Sequence, residues 1–321
     1  MGWLDQLKYD PIEQLCNSRD PSIVHFVEKD LLDESKEGDE LWDLPEARKT
    51  VRRQRDDGSW EYPGGNKRLR SQTHYDQIET YRNLGFLVEK YDFDKSQHSI
   101  RRAADFLFSS QTGEGDFRGI YGNQYTPNYS AGITELLIKA GYRADRRIRK
   151  SLKWLLSIRQ SDGGWAIPFR TRGHDLGAIT DKKTTQPDTE MPSSWLVTGV
   201  VLRAFAVDPE YRQLPETIAA SRLLMGRFFS KDSYPDRQAP GFWTRFAFPF
   251  WFTDLVSSLD SLSRLGFNCE GTKIQEGLRW FRDHQREDGS WNLKLLKKGD
   301  KQLHLWLALS ICRVFKRFYP Q

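Results

Sequence analysis

Cysteine is scarce: Cys16, Cys269 and Cys312 are the only three in 321 residues. They are far apart and odd in number, so they offer no disulfide framework, and a reducing, cytoplasmic setting is expected. Long apolar runs are missing too. The uncharged stretch from Ser193 to Leu202 is about half of what a bilayer-crossing helix needs, and the mean hydropathy is -0.70. The first residues, Met1-Gly2-Trp3-Leu4-Asp5-Gln6, hold an acid and no apolar core, so no signal peptide is expected. Gln6 stands where a myristoylation motif has Ser or Thr. Neither sign of charge dominates. Lys and Arg total 49 against 44 Asp and Glu, a net +5 spread along the chain, which argues against a nucleic-acid partner. Strand signals are nearly absent.

Aromatic residues are abundant: 11 Trp, 19 Phe and 12 Tyr must either fill a large core or line an apolar cavity. Their placement is periodic. Gln54-Arg55-Asp56-Asp57-Gly58-Ser59-Trp60, Gln160-Ser161-Asp162-Gly163-Gly164-Trp165 and Gln285-Arg286-Glu287-Asp288-Gly289-Ser290-Trp291 are copies of one motif. Gln111-Thr112-Gly113-Glu114-Gly115-Asp116-Phe117 is a decayed fourth, and Thr217 to Trp243 a fifth unit without the Gln. A spacing of about 50 residues suits two helices plus loops. Before the copies stand amphipathic stretches, such as Ile148, Leu152 and Leu155, and Ile274, Leu278 and Phe281. Asp-Gly then closes the helix, since glycine adopts the left-handed conformation without a Cβ clash. After each loop comes a more apolar helix: Tyr75 to Leu87, Asn128 to Ala140, Ser193 to Phe205, Trp251 to Leu265 and Leu303 to Phe315, with Ile23 to Leu32 as a sixth. Polar-faced helices outside and apolar helices inside predict an all-α closed ring of hairpins in one domain, 1–321. Within it, 1–40 is an N-terminal segment with the first inner helix, 41–318 holds the repeats, and 169–190 is a loop insertion.

The Q-x-x-D-G-S-W repeats resemble the QW motifs of terpene cyclases of the squalene-hopene type and of protein prenyltransferase β subunits, which share an α/α toroid. The resemblance covers about residues 40–318. It implies about six inner and five outer helices and an isoprenoid ligand. It does not fix an activity, because related toroids also serve polysaccharide-cleaving enzymes and binding proteins. Motif Gln and Trp are expected to staple neighbouring hairpins rather than touch a ligand.

First turns of the inner helices share one end of the ring, the natural mouth of a cavity. His74, Tyr75, Tyr125, Tyr129, Trp195, Phe248, Trp251, Phe252 and Trp306 gather there as candidate ligand-binding residues, an aromatic wall suited to an apolar molecule. Asp188-Thr189-Glu190-Met191 stands where the proton-initiated cyclases carry D-x-D-D. The resemblance makes Asp188 and Glu190 acid candidates, although Met191 replaces the last acid. His304 occupies the position of the prenyltransferase zinc-binding His, but its carboxylate and thiolate partners are missing, so no metal is expected and His304 is left as a candidate base. Asp76 is a further catalytic candidate, and a glycan-cleaving enzyme would use Asp76, Glu79 and Asp188. No cofactor is expected. Basic loops at Lys67, Arg68 and Arg70 and at Arg170 and Arg172 would meet a diphosphate or an anionic membrane surface, a peripheral contact. The leading expectation is a class II, protonation-initiated cyclase type of enzyme; the alternatives are a non-catalytic isoprenoid or lipid binder, or a polysaccharide lyase or glycosidase.

Overall fold

A computed structural model describes residues 2–34, 39–296 and 302–320. Among these residues the chain forms fourteen α-helices, and its named strands amount to one two-residue parallel pair, Arg245–Phe246 with Lys294–Leu295. Six helices make the inner ring: α2 (Pro21–Asp30), α5 (Gln72–Tyr91), α7 (Pro127–Leu137), α10 (Trp195–Ala206), α12 (Leu255–Arg264) and α14 (Leu303–Phe318). Each packs on the next, and α14 packs on α2, so the ring closes. Outside it lie α4 (Pro45–Arg52), α6 (His98–Ser109), α8 (Arg146–Ser157), α11 (Pro215–Gly226) and α13 (Thr272–Asp283), with short α1 (Ile12–Cys16) against α2 and α14. Two small helices complete the set, α3 (Asp39–Trp42) and α9 (Pro168–Thr171). No helix among the described residues is long and apolar enough to cross a membrane.

The two classes of helix form for different reasons. Outer helices are strongly one-sided: α8 buries Ile148, Leu152 and Leu155 and turns its Arg and Lys residues outward. Inner helices are buried nearly all round, as α10 is from Val197 to Ala206. Alternation of outer and inner helices makes the six inner ones parallel, so their N-termini meet at one end and their C-termini at the other. One predicted boundary moves. Residues 251–254 form a loop rather than helix, because Asp254 caps α12, accepting from Ser257 N at 2.8 Å while Ser257 Oγ accepts from Asp254 N at 2.9 Å.

Every intact motif makes the same joint. Trp60, Trp165 and Trp291 donate their indole N–H to Thr50, Leu155 and Phe281 carbonyls, each ten residues back at the end of the preceding outer helix, at 2.8, 2.6 and 2.9 Å. The backbone N–H of Trp60, Phe117 and Trp165 goes to a hydroxyl of the following inner helix, Thr80, Ser130 and Thr198. The Gln amides reach the neighbouring unit: Gln54 to Ser99 O and Gln111 to Arg147 O, at 2.9 and 2.8 Å. Gln285 reaches the N-terminal segment, donating to Tyr9 O at 2.8 Å and accepting from Lys8 N and Tyr9 N. The last motif therefore treats the start of the chain as its next repeat. Gly289 (φ +79°) fits against the Asp10 carbonyl, where a Cβ would collide. Among the described residues the inner seam is closed by Arg313 on Asp30 and by Lys316, which donates to the Asp30 and Leu31 carbonyls and to Asp33.

Candidate functional site

At the N-terminal end of the inner ring, rings touch rings across the axis. Phe169, Tyr121, Tyr129, Tyr81 and Trp251 form a continuous series with centroid separations of 5.7, 5.5, 5.9 and 5.2 Å. A second series runs from Phe250 through Phe248 and Trp306 to Phe26, with Phe248 stacked on Trp306 at 5.0 Å and 7°. Gly85 of α5 makes room for Trp251, whose indole edge would lie 2.5 Å from a Cβ there. Burial pushes the Tyr81, Tyr121 and Tyr129 phenols up, so they stay neutral. Trp251 is half-buried and Phe252 is 38% exposed, so these two form the solvent side of the cluster.

Below the rings, charge occupies the axis. Arg203 Nε meets Glu135 Oε2 at 2.9 Å, Glu135 Oε1 meets Lys139 Nζ at 2.7 Å, and Lys139 meets Glu89 at 2.6 Å. Arg203 also donates to Phe252 O at 3.3 Å, linking this ladder to the aromatic end. Burial works against the Glu135 carboxylate, but Arg203 and Lys139 together outweigh it and hold the group below its ordinary value. Among the described residues, rings pack on one another at one end of the axis, and the ion ladder lies toward the other, where Glu89 and Lys139 also line a concavity. The large concavity, about 1100 Å³, lies at the other end, where the inner helices finish, and its lining includes Lys29, Asp30, Glu89, Arg264, Arg313 and Arg317.

The predicted site residues divide between these regions. Tyr129, Phe248, Trp251, Phe252 and Trp306 share the aromatic end. Tyr75 borders it, packed on Tyr62 at 5.1 Å with Arg70 over its face. His74 instead lines a pocket of about 300 Å³ with Gln77, Ser109 and Arg118, between the start of α5 and the end of α6; burial, then Arg70, lowers its imidazole. Tyr125 turns to the outer layer, its hydroxyl donating to Glu114 at 2.7 Å and its ring near Trp154 of α8. Trp195 is buried against Trp243 at 4.3 Å, at the joint with the fifth unit.

The acids stand apart. Glu190 is exposed and accepts from Ser161 Oγ at 2.6 Å; Asp188 pairs with Arg172 at 3.0 Å, and its carbonyl takes the Gln160 amide at 2.7 Å. The segment thus sits at the outer end of α8, joined to a motif staple. Asp76 is 2% exposed and fully engaged, by Arg55, by Tyr62 N at 2.9 Å and by Gln72 at 2.8 Å. Glu79 pairs with Arg82, so Asp76, Glu79 and Asp188 are held in three separate ion pairs. His304 is exposed in the first turn of α14, beside residues 297–301, which lie outside the described ones. One carboxyl escaped sequence reasoning as an acid: Asp254, 2% exposed, which burial raises to about 7 against the opposing hydrogen bonds from Ser257. Its signal was a lone Asp two residues after the aromatic run Phe248 to Phe252.

Residues 78–202 match the family model described as squalene-hopene cyclase C-terminal domain. A probable squalene–hopene cyclase of Sinorhizobium fredii is 26% identical over 125 residues, which are 38% of this chain and 18% of that protein. Type II terpene cyclase MstE from Scytonema, solved with merosterolic acid A as product, covers 97% of this chain and 98% of its own at 12% identity and a TM-score of 0.42. The polysaccharide lyase BACCELL_00875 aligns over 93% and 89% at 11% identity and a TM-score of 0.46.

Proposed function

We propose that this terpene cyclase-like toroid handles a non-polar, isoprenoid-type chain at the aromatic end of its inner ring. The observation that carries the reading is the convergence of Tyr81, Tyr129, Phe248, Trp251 and Trp306 on one end of the axis, with Trp251 and Phe252 at the solvent edge. Aromatic faces attract apolar chains and, in a carbocation chemistry, stabilise positive charge. Because the rings already touch, a ligand enters by displacing Trp251 and Phe252, which stand on the loop before α12 and not on a helix. The test is titration with geranylgeraniol followed by quenching of tryptophan fluorescence. Binding is expected, weakened about tenfold by Trp251→Ala. No binding up to the solubility limit would sink the reading.

A second, catalytic reading rests on the acids. Class II chemistry needs a carboxylic acid that reaches an alkene. Glu190 with Asp188 is the pair the resemblance points to, and Asp254 is the carboxyl that keeps its proton near neutrality beside the aromatic segment. Product analysis after incubation with a linear isoprenoid separates the two: loss of turnover by about 100-fold in Glu190→Gln assigns the donor to the outer segment, and the same loss in Asp254→Asn assigns it to the α12 cap. A broad panel of isoprenoids bound but never converted leaves the chain a binding protein.

A further inference from the structure

At the end of the ring remote from the aromatic cluster, a groove of about 610 Å³ runs between the C-terminal ends of α7, α10, α12 and α14. It adjoins the larger concavity and shares Lys139, Arg264 and Arg317 with it. Every charged side chain lining the groove is a cation: these three, Arg143 and Arg212. The carboxylates that balance them pair from the side. Asp260 takes both Arg264 and Arg317, Asp208 and Glu210 take Arg143, and Glu89 and Glu135 take Lys139.

Much donor capacity is left over. Arg264 uses its Nε on Asp260, and Arg317 its Nε on Ser263 Oγ and one terminal nitrogen on Asp260. Among the described residues no hydrogen bond or ion pair occupies the terminal nitrogens of Arg264 or the side chain of Arg212. Neutralising helix dipoles accounts for cations in a last turn, and Arg264 and Arg317 qualify. It does not account for Arg143 and Arg212, which lie beyond the ends of α7 and α10 and still face the same groove.

We infer that this groove binds a phosphoryl oxyanion, a phosphate or diphosphate group, on the forks of Arg264, Arg317, Arg143 and Arg212 with Lys139. A two-oxygen carboxylate is already supplied by Asp260. Donors approaching from four helix ends call for an anion with oxygens on several sides, and guanidinium forks match phosphoryl geometry. The site is independent of the aromatic end, so it stands or falls separately from the isoprenoid reading.

Calorimetric titration with inorganic pyrophosphate at low salt is the test. Wild type should bind one equivalent, with affinity falling as salt is raised. Arg212→Gln and Arg143→Gln should each weaken binding about fivefold, while Lys49→Gln on exposed α4 leaves it unchanged. Arg212 is exposed and its side chain has no partner among the described residues, so its variant is expected to keep the fold intact. Sedimentation with vesicles containing phosphatidic acid, against neutral phosphatidylcholine vesicles, distinguishes the source: groove-dependent vesicle binding assigns a lipid headgroup, and pyrophosphate binding without it a soluble ligand. The inference is overturned if neither probe binds, or if Arg143→Gln and Arg212→Gln bind as wild type does.

Discussion

At the scale of single residues, the motif tryptophans and glutamines are structural. Trp165 is wholly buried and bonded to Leu155 O, so Trp165→Ala should cost about 3–5 kcal/mol in urea unfolding. Gln160→Ala, which strips two backbone carbonyls at 2.7 and 2.8 Å of their donor, should cost about 1–3 kcal/mol. Asp254 makes a pH prediction. Its carboxyl is raised to about 7 in the folded chain from an ordinary value of 3.8, so between those values the native state holds a proton that the unfolded chain has lost. Its contribution to stability therefore falls as pH rises from about 4 to 7 and is flat above. Asp254→Asn keeps a capping side chain and should flatten that part of the profile, measured as urea midpoints against pH. Asp260 has the opposite sign: burial opposes its charge, but Arg264 and Arg317 hold it well below the ordinary range, so its contribution is present above about pH 4 and lost on acidification.

At the scale of elements, the joint at Gly289 can be separated from simple backbone preference. Gly163 and Gly289 both have positive φ, but a Cβ at Gly163 meets nothing within 4 Å, whereas at Gly289 it meets the Asp10 carbonyl. Gly163→Ala should show the conformational cost alone, about 1 kcal/mol, and Gly289→Ala clearly more, with faster proteolysis of the N-terminal segment. Six inner and five outer helices were legible in the repeat, because a glycine stop and a change from one-sided to all-round apolar pattern mark each unit. The loop before α12 was not, since Phe250-Trp251-Phe252 reads as apolar helix until the Asp254 cap is seen. Neither was the ion ladder. Glu135 and Arg203 are each a lone charge in an otherwise apolar inner helix, and only the packing of α7 on α10 puts one opposite the other. Asp188 and Glu190 stand at an inner helix in sequence, yet the staple from Gln160 draws their segment to the outside.

At the scale of the whole molecule, the ladder and the seam hold the ring shut. Glu135→Gln leaves Arg203 and Lys139 facing each other without their shared carboxylate, and should destabilise by about 3–5 kcal/mol, read from thermal unfolding. Wild type should unfold in one transition by tryptophan fluorescence and by circular dichroism alike. Removing a motif contact and an inner contact of the seam together, with Gln285→Ala and Arg313→Ala, should pull the two probes apart, since fraying then has somewhere to begin.

The bond from Gln285 to Tyr9 also determines what kind of variation the architecture accepts. An open solenoid can grow or shrink by whole units, provided polar terminal repeats cover its two ends. A circle has no terminal repeats to cover, and its unit count is set by the angle between neighbours: six wedges complete the turn, and a seventh would have to reset every interface at once. Novelty must then arrive in the loops between the wedges, with the number of wedges left alone.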